Sequence, residues 1–72
     1  MVKYTHEQKV IIFVVGHMAE LRKAGVLSGG GFDLSDEGYE RFVNLRDSGW
    51  KPTDEEFDNC LDYLLSKITN NA

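Results

Sequence analysis

Cysteine occurs once in this 72-residue chain, so no internal disulfide can staple it. A reducing, cytoplasmic setting is the expectation. Proline also occurs once, at Pro52, and stops whatever helix precedes it. Positive charge is scarce. Eight Lys and Arg stand against twelve Asp and Glu, for a net charge of −4. That balance argues against nucleic acid as a direct ligand. No apolar run is long enough for a bilayer: Val10–Val15 has six residues where about 20 are needed, so no membrane association is expected. No cleavable leader is expected either, because His17 and Glu20 follow the run without a small-residue cleavage pattern. A chain this short forms one domain and buries only about 60% of its surface. Its apolar fraction of 42% is still enough for a core, so disorder is not predicted.

What is present is organised around Val10-Ile11-Ile12-Phe13-Val14-Val15. Propensity alone favours a buried strand there. The flanks favour a helix. Thr5 and Gln8 have the spacing of a capping box. Arg22 and Lys23, followed by Gly25, suit a helix C-terminus. A lone strand would also lack a neighbour for its backbone hydrogen bonds. The reading is a helix over about 5–24; the alternative is a short strand at 10–15 and a helix from His17. As a helix the stretch is apolar all round for more than a turn, and two further helices can cover only part of it. Ile11, Val14, Val15 and Met18 are therefore the candidate face for self-association, plausibly as a homodimer. Gly16 costs such a helix about 1 kcal/mol relative to alanine. It is either a tolerated weak spot or a place where another backbone comes close. Tyr4 is expected to staple onto Lys9 or Val10.

The first connection contains Gly29-Gly30-Gly31 and reads as a flexible, Gly-rich loop. It lacks the Gly-Lys-Ser/Thr of a phosphate-binding loop. Ser35 is the next N-cap, with Asp36 and Glu37 behind it. A second helix then covers about 35–47 and turns Tyr39, Phe42 and Val43 inward. Gly49 suits a left-handed cap, with Trp50 folding back toward Leu45. Thr53 and Glu56 form another capping box. The third helix covers about 53–68, with a Phe57, Leu61, Leu64, Ile68 stripe widened by Cys60 and Leu65. The fold class is all-α: a small, single-domain bundle of three helices.

Chemistry-bearing motifs fail on inspection. Asp33, Ser35, Glu37 and Gly38 have calcium-loop spacing, but Asn44 stands where a bidentate Glu is required and Arg41 stands at position nine. His6 and His17 lie about 16 Å apart along one helix, too far to share a metal. Cys60 sits in an apolar stripe near Asp58 and Asp62, the wrong surroundings for a nucleophilic thiol. A helix-turn-helix reader is disfavoured by Asp54, Glu55, Glu56 and Asp58, which would meet phosphates. No catalytic residue, metal or cofactor is predicted, and the chain is read as a non-enzyme.

Charge is unevenly placed. Residues 1–25 hold four cations and two acids; residues 26–72 hold four cations and ten acids. Asp54, Glu55, Asp58 and Asp62 line one side of the third helix, and Glu37 and Glu40 part of the second. Trp50, Arg46 and Lys51 fall between. Trp and Arg are common at the energetic centre of interfaces. The expected partner is thus a protein, in particular a basic, nucleic-acid-binding complex whose surface these acids would block. In size and charge the chain looks like the small inhibitors carried by phages and mobile elements, including anti-CRISPR proteins; the resemblance lies in those two properties and carries no motif. The competing reading is a structural or regulatory subunit that self-associates or docks through its apolar first helix.

Overall fold

The computed structural model describes residues 3–27 and 34–69. It contains α1 (His6–Lys23), α2 (Asp36–Asp47) and α3 (Asp54–Thr69), with no strand among the described residues. The chain is a compact all-α domain, and Val10–Val15 lies inside α1 rather than in a strand. The Gly29–Gly31 loop and Asp33 lie outside the described residues, as does the side chain of Ile68.

Each helix begins where local hydrogen bonding dictates. Thr5 Oγ1 accepts from the Gln8 N–H at 3.1 Å, and the Gln8 side chain accepts from the Thr5 N–H at 2.9 Å. Ser35 Oγ accepts from the Gly38 N–H at 3.1 Å. Thr53 Oγ1 accepts from the Glu56 N–H at 3.1 Å, while Glu56 Oε1 accepts from the Thr53 N–H at 3.0 Å. Such caps satisfy N–H groups that the helix itself leaves free, and each contributes about 1 kcal/mol. The ends of α1 and α2 are equally local. Gly25 and Gly49 take positive φ, +80° and +87°. The Val26 N–H reaches Leu21 O at 3.0 Å, and the Trp50 N–H reaches Leu45 O at 3.2 Å. Both are the six-to-one bonds of a Schellman motif.

α1 is the central element. α2 and α3 both pack on it and, among the described residues, not on each other. Val10, Val14, Val15, Met18 and Leu64 make the buried cluster, with Leu34, Trp50, Phe57, Cys60 and Leu61 packed around it. Phe42 fixes α2 on α1: it is 1% exposed, and its ring lies 5.5 Å from that of Phe13. Gly16 makes room for that ring. A Cβ at position 16 would run into Cγ of Phe42 and stand 2.5 Å from its Cβ and Cδ1. The close approach is thus made by Phe42 of α2. The Tyr4 ring lies under the Arg41 guanidinium of α2, at 5.3 Å. Leu65 does not widen the core stripe; it is 42% exposed.

Candidate protein-interaction surfaces

Three surfaces follow from this arrangement. The first is the outer face of α3. Asp54, Asp58 and Asp62 recur every four residues over about 12 Å, with Glu55 beside them. All four are exposed, and none has an ion-pair partner among the described residues. Asp54 and Glu55 gain from the helix dipole in the first turn. Asp58 and Asp62 lie beyond that turn, where like charges at i, i+4 disfavour the helix by about 0.2–0.5 kcal/mol per pair.

The acids elsewhere are engaged or separate. Glu37 lies 3.7 Å from Arg41. Glu37 and Glu40 stand on the side of α2 opposite Phe42, and α2 does not contact α3. Arg46 does not stand free between them. Its Nη1 donates to Glu20 Oε1 at 2.6 Å and braces α2 to α1. The Glu20 carboxylate raises the Arg46 pKa further above its ordinary value. Trp50 is half-buried, with its ring edge-on to Phe13 at 5.7 Å and His6 at 6.1 Å. Its first role is to seat the α2–α3 turn on α1.

The second surface is what remains of the expected self-association face. Val14 is 0% exposed, Val15 7% and Met18 6%; all three belong to the chain's own core. They do not present a docking face, because α3 and Leu34 pack onto the cluster they form. Only Ile11, at 44% exposure, still reaches solvent. The sequence places all four on one side of α1, but which part of an all-apolar turn is covered depends on the path of the later helices.

The third surface is a groove of about 700 Å³ between α1 and α3. Val10, Ile11, Cys60, Tyr63 and Leu64 provide its apolar lining, and His6, Glu7, Glu56 and Asn59 the polar part. His6 and Glu56 are bonded through Nε2 and Oε2, tying the start of α1 to the start of α3. The Thr53 N–H, then His6, hold the Glu56 carboxyl below its ordinary pKa. Burial pushes the Cys60 thiol up, away from a reactive thiolate. Tyr63 and Asn59 were not legible as site residues. The available signal is that Tyr63 is a large apolar residue lying off the Phe57–Leu61–Leu64 stripe.

Among the described residues, no group of three or more His, Cys, Asp or Glu is placed to hold a metal, and no helix is long and apolar enough to cross a membrane. What these surfaces offer is charge and apolar contact. Comparison with protein-family models, with curated proteins and with solved structures finds no match to this chain.

Proposed function

We propose that this chain is a non-enzymatic interaction protein that lays the acidic face of α3 on a basic, nucleic-acid-binding surface of a larger complex and blocks it. The observation that carries the reading is the exposed row Asp54, Glu55, Asp58 and Asp62, which has no ion-pair partner among the described residues. Carboxylates spaced along about 12 Å of a rigid helix meet Lys and Arg side chains much as backbone phosphates do. Two of them lie where they disfavour the helix, so charge is carried at a cost to folding. An inhibitor of the type carried by phages and mobile elements acts in this way, by occupancy rather than chemistry.

The test is a pull-down from bacterial lysate at low and high salt, using wild type beside the triple variant Asp54→Lys, Glu55→Lys, Asp58→Lys. The expected result is a nucleic-acid-handling complex retained by wild type at low salt and lost by the variant. Retention that survives the triple reversal, or that ignores salt, sinks the acidic-face reading. The second reading, a subunit that docks through α1, is favoured by the exposure of Ile11 at 44%. It predicts salt-resistant association that Ile11→Glu abolishes in sedimentation measurements.

A further inference from the structure

We propose that the groove between α1 and α3 seats a cationic amphipathic helix of the partner protein. Its apolar ridge enters between Ile11 and Tyr63. Its flanking Lys and Arg side chains reach Glu7 on one wall and Glu55 and Asp62 at the edge of the other. The inference rests on the acidic-face function proposed above and adds the place where the partner is held.

The apolar half of the argument is the shape and exposure of the groove. Its volume of about 700 Å³ is that of a binding cleft, for which about 300–1,000 Å³ is usual. Both walls leave large side chains in water: Ile11 is 44% exposed and Tyr63 59%. The floor, Val10 and Leu64, is 5% and 8% exposed and therefore rigidly packed. A helix places anchors at i, i+3 or i+4, and i+7 along one edge, and an open apolar trough between two helices accepts such an edge.

Charge selects among possible occupants. The groove lining includes Glu7 and Glu56 and no Lys or Arg. Asn59 of the lining follows Glu55 by four residues and precedes Asp62 by three, so these two carboxylates border the α3 wall, while Asp54 and Asp58 lie farther round the helix. The Tyr63 ring already takes a cation on its face, with the Lys67 ammonium 5.0 Å from the ring centre. A partner Arg or Lys would compete with Lys67 for that face. A second copy of this chain fits poorly. A two-fold interface sets a surface against itself, and acids would then meet acids. An acidic helix meets the same repulsion.

The probe is a synthetic Leu/Lys helical peptide with leucines at i, i+4 and i+7, beside a Leu/Glu peptide with the same leucines. Binding is read by fluorescence anisotropy, and its location by ¹H–¹⁵N shift changes. The expected result is binding of the Leu/Lys peptide alone, with shifts at Ile11, Cys60 and Tyr63. Ile11→Glu and Tyr63→Glu each weaken it at least about tenfold, although both add negative charge. Ile11→Ala and Tyr63→Ala report the same loss without new charge if either glutamate variant loses helix. Equal binding of the two peptides, no binding of either, or unchanged affinity in the variants overturns the proposal. Shifts confined to Asp54, Asp58 and Asp62 overturn the groove while leaving the acidic-face function standing. Groove shifts and affinity indifferent to the triple charge reversal uphold an apolar seat and remove the support for the acidic-face function.

Discussion

Replacing Gly16 with alanine sets two quantities against each other. Helix propensity favours alanine by about 1 kcal/mol in a helix interior. If nothing faced Gly16, that gain would raise Tm by about 4–8 °C in a domain of this size. The structure opposes it. The new Cβ would run into Cγ of Phe42 and stand 2.5 Å from its Cβ and Cδ1, and the Phe42 ring is 1% exposed and meets Phe13. A buried ring cannot swing aside, so α2 must shift or the ring must leave its rotamer. Overpacking of this kind costs typically 1–3 kcal/mol. Three atoms well inside contact distance place Gly16 toward the upper end, about 3 kcal/mol. After the propensity gain, Gly16→Ala is expected to destabilise by about 2 kcal/mol and lower Tm by about 8–16 °C. Thermal and urea unfolding followed by far-UV circular dichroism measure both. A Tm equal to or above that of wild type would refute the packing of α2 on α1 through Phe42 and Gly16.

Other expectations are simpler to read. Val14→Glu should unfold the chain, because a charge at a position 0% exposed has no partner or water, whereas Ile11→Glu should leave helix content near that of wild type. Circular dichroism of the two side by side distinguishes a core residue from a surface one. Acid should weaken the tie between α1 and α3. The Glu56 carboxyl is held below its ordinary pKa by the Thr53 N–H and His6, so its contribution is fully present above the unfolded-state value and is lost as pH falls through the folded-state value. Urea midpoints measured down the acid range should fall less steeply in Glu56→Gln than in wild type.

Much of the fold can be read from residues close together in sequence. Thr5 with Gln8, Ser35 with Gly38 and Thr53 with Glu56 name the helix starts because a cap involves only a few neighbouring residues. Gly25 and Gly49 name two ends for the same reason. The surfaces are less legible. Val14, Val15 and Met18 share a side of α1 with Ile11, and nothing local separates the three that are covered from the one that is not. Separation requires knowing that α3 runs over the first three. The pairing of Arg46 with Glu20 spans 26 residues, and neither residue has a neighbour that announces it. The role of Gly16 is hidden for the same reason, since its partner Phe42 lies in another helix. The acidic row of α3 is visible from spacing alone because a helix face is itself a local object.

The absence of contact between α2 and α3 also bears on how the domain opens. Each flanking helix packs on α1, and among the described residues the backbones of α2 and α3 do not come close to each other. α3 can therefore lift from α1 without disturbing the Phe13–Phe42 contact or the Arg46–Glu20 bond that hold α2. The domain behaves as two cooperative units sharing one helix. Amide protons of α3 then exchange through a cheaper, partial opening, while those of α1 facing α2 wait for the whole chain to unfold.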